Sequence, residues 1–294
     1  MKFSISVVLT TCFILVVSTM VGQPQASLPP AQRSDFSSCP DIFPTAEIPP
    51  AVSDTVTDLC IFAGERAVYA VRFDTKRKTP NWAVHKLTPK NIKDLTSRNR
   101  PKFFPNNQIE GSLQAQDKSY IHSGFSRGHI VPAHDLSWNT LAYKATFNLT
   151  NVVPQKQKFN AGPWLGMEST FRKLVEQKDQ VLWDFSGVYG QVAAIPTIGT
   201  APHTPVVPKC YYKIIVAQSQ DQGRGQGGER YKVLAALFEW NDYGKRGTWR
   251  DSVTTLSQIT QRTGIHFLQN SDVENAHDED FWGVPMPENI GDCH

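Results

Sequence analysis

The residues able to do chemistry in this chain are Arg127-Gly128-His129, followed further on by Asn160, Glu168 and Arg172. A histidine accepts a proton near neutral pH, which suits it to activate water. One amide oxygen and one carboxylate suit a hard cation such as Mg²⁺, which keeps several waters and needs few protein groups beside substrate phosphates. Arginine forks neutralise the charge that develops on a phosphoryl group. Together these types fit metal-assisted hydrolysis of a phosphate ester. Each has a plainer reading when taken alone. A single histidine is more often a hydrogen-bonded structural residue, the reading kept for His122 and His134. Glu168 and Arg172, four apart, share a helix face and make an ordinary ion pair. A Ser/His/Asp triad would need more than Ser126 and His129, because no GxSxG elbow accompanies them.

Several elements must position these groups. Residues 67–73 alternate in β-formers, residues 74–80 read as a basic turn, and residues 82–87 read as the returning strand of a hairpin. Residues 86–102 are locally basic, and Arg98 and Arg100 lie where a bidentate fork could reach a phosphate. Residues 147–153 read as a strand and Pro154-Gln155 as a turn. Pro163 suits the start of a helix whose core stripe is Trp164, Met167, Phe171 and Val175. Asn160 enters that helix about two turns before Glu168. Residues 180–189, 211–217 and 231–240 read as strands, with a Gly/Gln-rich loop over 218–230. Residues 252–263 have helical spacing ended by Gly264, and residues 272–280 form an acidic, exposed tail. Strands arrive as hairpins, so the fold class is α+β, with a mostly antiparallel central sheet flanked by helices.

Across 294 residues, 40% hydrophobic and 11% aromatic content is enough for a substantial core. A formal charge of +3 is too weak to argue for nucleic-acid binding, so any attraction to phosphate must be local. Residues 1–22 carry Lys2, an apolar run and small residues, the layout of a cleavable secretory signal. Residues 23–58, rich in Pro, Ser and Gln, read as an extended surface leader, and residues 59–294 as a single domain. A secreted, extracellular protein with no membrane association is the expectation. Cys12 falls in the signal, leaving Cys39, Cys60, Cys210 and Cys293, an even number that points to two disulfides. Of three connectivities, Cys39–Cys60 and Cys210–Cys293 are preferred, one closing a local loop and the other tying down the tail. Asn148-Leu149-Thr150 is an N-glycosylation sequon.

Ser126-Arg127-Gly128-His129, then Asn151-Val152-Val153-Pro154-Gln155, then Asn160, Gly162, Trp164 and Glu168 resemble, in order and spacing, the DNA/RNA non-specific endonuclease family of ββα-metal nucleases. The likeness covers roughly residues 65–270, with motif-grade matches over 125–172. It implies His129 as general base, Asn160 as direct Mg²⁺ ligand and Glu168 as a ligand through water. Mn²⁺ is a substitute metal. The resemblance also gives Arg127 and Arg172 to phosphate or the transition state, and requires an upstream arginine, either Arg98 or Arg100. Ser126 departs from the Asp of many members, which bears on substrate preference and pH profile more than on activity. The implied function is a secreted, Mg²⁺-dependent endonuclease cutting DNA, and RNA with it, to 5′-phosphate ends. Contacts would run through the phosphate backbone without base readout. The alternative is a catalytically weak or inactive nucleic-acid-binding protein on the same fold, although a decoy would need only the arginines.

Overall fold

The computed structural model describes Met1 and residues 35–218, 230–241, 244–269, 272–274, 278–286 and 293. The expected signal over 1–22, the first part of the leader and residues 219–229 of the Gly/Gln-rich loop lie outside the described residues. The strands are β1 Val56–Ala63, β2 Arg66–Asp74, β3 Thr79–Leu87, β4 Ser126–His129, β5 Val152–Gln155, β6 Leu182–Tyr189, β7 Cys210–Gln218, β8 Arg230–Glu239, β9 Val253–Thr254 and β10 Asp272–Glu274. The α-helices are α1 Pro89–Lys93, α2 Thr140–Ala145, α3 Gln157–Phe159, α4 Leu165–Lys178, α5 Leu256–Thr263 and α6 Glu279–Trp282.

One eight-stranded sheet runs β1-β2-β3-β6-β7-β8-β10, with β9 also paired to β8, and β4 and β5 form a separate ribbon. All pairings are antiparallel except β10 on β8. The expected α+β class with a mostly antiparallel sheet is the observed one. Successive strand side chains point to opposite faces. Tyr69, Val71, Tyr211 and Phe238 therefore enter one apolar layer, and Ala70, Val84, Tyr212 and Leu237 the other. Helix α4 covers the first layer. Its expected stripe of Trp164, Met167, Phe171 and Val175 is buried, with Trp164 edge-on to Tyr211 and Phe238, and Phe171 edge-on to Trp282. Each such side chain contributes about 1.5–3 kcal/mol by leaving water, so truncating Phe171 would loosen the helix that carries Glu168. Among the described residues no helix is long and apolar enough to cross a membrane.

Several local expectations are corrected. From residue 35 onward the leader is no surface strap. Phe36 and Phe43 are buried, with ring centroids 5.2 Å and 6.2 Å from Trp82, and Val56 already opens the edge strand β1. Its Pro- and Ser-rich composition hides two aromatics that cover the second face of the sheet. The preferred Cys39–Cys60 and Cys210–Cys293 bonds are both formed, the first clamping this segment to β1. Residues 149–151 make a single 3₁₀ turn where a strand was expected. Asn148 Oδ1 accepts hydrogen bonds from the Thr150 amide at 3.1 Å and the Thr150 hydroxyl at 2.9 Å. Asn148 is only 7% exposed, so the sequon sits under a turn and is not the open surface loop that a glycan requires. Pro154 and Gln155 belong to β5 and not to a turn. Residues 252–263 divide into β9 and α5, the helix starting where Thr255 Oγ1 caps the Gln258 amide at 3.1 Å and ending at Gly264 with φ +71°. The acidic tail opens with β10, where an exposed coil was expected.

Candidate active site

The ribbon β4–β5 pairs Ser126 with Gln155, Arg127 with Pro154, Gly128 with Val153 and His129 with Val152. Alternation puts Arg127 and His129 on one face and Ser126 and Gly128 on the other. Gly128 is required by close approach, since a Cβ there would lie 2.1 Å from Gln155 Oε1. The end of β4 is fixed by Asn151, which is fully buried. Its Oδ1 accepts from the Val131 amide at 2.8 Å, and its Nδ2 donates to the Val131 and Thr146 carbonyls, both at 3.0 Å.

On the His129 face an aromatic group organises the cations. The imidazole packs 5.3 Å from Phe103 and 4.9 Å, edge-on, from Phe147. Its Nε2 is buried with no hydrogen-bond partner among the described residues. Burial, then the charge of Arg100, push the His129 pKa down to about 3, so the ring is a neutral acceptor at neutral pH. The exposed Arg100 guanidinium lies 5.5 Å from the Phe103 centroid and 5.7 Å from Phe147. Arg127 lies 5.7 Å from Phe103 and 5.5 Å from Tyr120. It is ion-paired to Asp117 and donates from Nη2 to the Asp117 carbonyl at 2.7 Å. Arg98 is used elsewhere, donating to the Ser137 carbonyl and, at 2.7 Å, to Thr140 Oγ1. Of the two upstream arginines it is therefore Arg100 that adjoins His129. Phe103, which touches both arginines and the histidine, escaped the reading of the sequence. Its only signal was an aromatic pair, Phe103-Phe104, inside a basic loop.

Beyond the ribbon, α3 runs into a π-helical turn over Asn160–Trp164, where Gly162 leaves helical geometry (φ −99°, ψ −115°), and then into α4. Pro163 sits inside this kinked run, not at its start, and its missing N–H contributes to the break in the ladder. A Cβ on Gly162 would fall 2.5 Å from the Gly244 carbonyl oxygen, so the kink also admits a neighbouring loop. Asn160 is half-buried at the kink, and its amide donates to the Lys156 carbonyl at 2.9 Å.

One turn into α4 a layer of charge begins between the helix and the sheet. Glu168 is 9% exposed. Burial raises its pKa to about 7, although Lys213 and Arg172 pull it the other way. Lys213 is itself fully buried. Its Nζ donates to Asp184 Oδ2 at 2.8 Å and Ser186 Oγ at 2.7 Å, and lies 4.3 Å from the Trp164 ring centroid. Arg172 donates to Asp135 Oδ1 and, at 3.1 Å, to Ser169 Oγ, and only 11% of its side chain is exposed. Burial opposes its charge, but Asp135 and Glu168 outweigh that and hold its pKa above the usual value. Asp135 Oδ2 faces His85 Nε2 at 2.9 Å. Burial works against the Asp135 charge too, yet Arg172 and His85 bring its pKa to about 2. Arg172, expected at the phosphate, is thus anchored inside the protein. Lys213 in the apolar run 211–217 and His85 in the apolar strand β3 were the signals that a polar layer crossed the sheet.

The amide oxygen of Asn160 at the helix kink and the nearly dry carboxylate of Glu168 are oxygen ligands of the type that Mg²⁺ takes. His129 Nε2, buried with no partner among the described residues, is left to hydrogen-bond a water. The donor chemistry therefore fits the metal. Among the described residues no group of three His, Cys, Asp or Glu is arranged to hold an ion.

The family model described as DNA/RNA non-specific endonuclease matches residues 62–274. Mitochondrial nuclease EXOG of Xenopus laevis is 35% identical over 119 residues, which are 40% of this chain and 33% of the relative. That of Homo sapiens is 30% identical over 221 residues, 70% of this chain and 58% of the relative. The chain thus spans between a third and three-fifths of these relatives. A solved EndoG/EndoGI complex aligns at TM-score 0.60 with 20% identity over 79% of this chain and 91% of that one, a likeness of fold. The EXOG relatives carry a mitochondrial designation, which overturns the expectation of an extracellular protein. A short apolar run behind one lysine encodes hydrophobicity, and that alone does not specify a destination.

Proposed function

Since this chain belongs to the DNA/RNA non-specific endonuclease family, we propose that it hydrolyses phosphodiester bonds of DNA, and of RNA, to 5′-phosphate products in a mitochondrial setting. One observation carries the reading. The buried, unpaired Nε2 of His129 lies beside Arg100, and the Phe103 ring that His129 packs on also carries Arg100 and Arg127. Mg²⁺ would be held by Asn160 directly and by Glu168 through water, with Mn²⁺ as a substitute. When bound it would supply charge neutralisation at the scissile phosphate.

The chain's own residues do the rest. Arg100 and Arg127 draw the phosphate backbone to the His129 face, and Asp117 and the aromatic rings keep Arg127 from collapsing onto the histidine. The neutral imidazole takes a proton from the attacking water. Arg100 is one cause of the low basicity of His129. A phosphate seated on Arg100 offsets that charge, so substrate binding strengthens the base when it is needed. Contacts of this kind read charge, not sequence, so affinity should fall steeply with salt. The test is cleavage of supercoiled plasmid and of total RNA with Mg²⁺ and with EDTA. Cutting that EDTA abolishes supports the reading, and binding without turnover in any divalent metal refutes it.

A further inference from the structure

We propose that Asp135 and His85 are positioning residues for Arg172, holding its guanidinium rigidly beside Glu168. The proposal rests on the nuclease reading for its consequence in turnover, but the holding itself is a property of the fold.

Three elements converge here: β3 through His85, the turn following β4 through Asp135, and α4 through Arg172. The Asp135 side chain is 2% exposed, and each of its oxygens has a different partner, Oδ1 the Arg172 Nη1 and Oδ2 the His85 Nε2 at 2.9 Å. An ionised carboxylate only accepts, so His85 donates from Nε2. His85 is 1% exposed and is set by the sheet, being opposite Asp184 in the β3–β6 register. The chain of contacts therefore runs from the rigid sheet to a guanidinium on the helix that carries Glu168. Arg172 Nη2 donates to Ser169 Oγ at 3.1 Å, which fixes the plane of the fork as well as one of its ends. A guanidinium offers five N–H donors, and these two bonds leave three. In a site where a misplacement of about 1 Å can cost about a hundredfold in rate, a buried anchor on an arginine has a kinetic consequence that a surface ion pair lacks.

The test combines a double-mutant cycle with a direct observation of the arginine. Asp135→Asn should lower kcat roughly ten- to a hundredfold with KM changed far less, the range seen when groups supporting a metal site are lost. In an Arg172→Met background the same substitution should change kcat little, because Asp135 acts through Arg172. Should Asp135→Asn fail to fold, His85→Leu serves in its place, with His85→Gln, which restores an N–H near the position of Nε2, recovering most of the loss. Full kcat in Asp135→Asn, or an equal loss in the Arg172→Met background, overturns the proposal. Nitrogen-15 spectra of the Arg172 side chain, recorded without substrate, provide a readout independent of cleavage. Separate, slowly exchanging Nη signals in the wild type that merge in Asp135→Asn show the holding even if the protein cleaves nothing. Signals already merged in the wild type, or unchanged in Asp135→Asn, refute it.

Discussion

Replacing Glu168 by Gln should make the protein more stable at neutral pH while weakening its use of metal. Glu168 titrates near 4.5 in an unfolded chain and is raised to about 7 in the fold, chiefly by burial. A carboxyl raised in this way binds its proton more tightly when folded. It therefore costs nothing below pH 4.5, and the cost grows as pH rises and is complete above about pH 7. The gap between the two values corresponds to about 3 kcal/mol at pH 7.5. Neutralising Glu168 strands no cation, because Lys213 retains Asp184 and Arg172 retains Asp135. Denaturant unfolding in EDTA is the assay. Wild type and Glu168→Gln should be nearly equal at pH 4.5, with the variant ahead by about 3 kcal/mol at pH 7.5. Added Mg²⁺ should then raise the midpoint of the wild type, since a ligand that binds only the folded state stabilises it, and raise that of the variant less. Equal stability at both pH values, or a variant weaker at pH 7.5, would show that the carboxylate is not the buried, costly group described here.

His129 has the opposite signature. Its folded pKa lies near 3 against 6.5 when unfolded, so only the unfolded chain takes up that proton in between, and stability is lost as pH falls below 6.5. Relative to His129→Asn, wild type should lose about 1.4 kcal/mol per pH unit on acidification, read by urea unfolding between pH 6.5 and 4.5. Arg100→Ala should reduce the slope of log affinity against log salt by about 1, whereas Arg98→Ala, at a residue tied to Ser137 and Thr140, should leave it unchanged. Phe103→Leu removes the ring shared by both arginines. At about 0.5–1 kcal/mol for each contact, nucleic-acid binding should weaken roughly tenfold, measured by fluorescence anisotropy in Ca²⁺.

What the sequence made legible followed from local rules. The α4 stripe repeated every three or four residues, the hairpins alternated, and the basic loop over 86–102 contained the arginine that reaches His129. Composition misled where a few residues outweighed many. Phe36 and Phe43 pull a Pro- and Ser-rich segment onto Trp82, and Asn148 turns an apparent strand into a capped turn. The buried polar layer could not be read from spacing, because His85, Asp135, Asp184 and Lys213 come from four separate segments that only the sheet order brings together. For the same reason Arg172 reads in the sequence as facing Glu168 or phosphate, its partner Asp135 being 37 residues away in the chain.

The most direct test of His129 as the base separates chemistry from binding. Single-turnover cleavage of plasmid in Mg²⁺ would be compared between wild type and His129→Ala, with plasmid affinity measured in parallel in Ca²⁺. The rate should fall by about a hundredfold or more while affinity stays within about twofold, since a general base typically contributes about 10²–10⁴ to the chemical step and little to ground-state binding. An undiminished rate, or a loss of rate matched by an equal loss of affinity, would contradict that role.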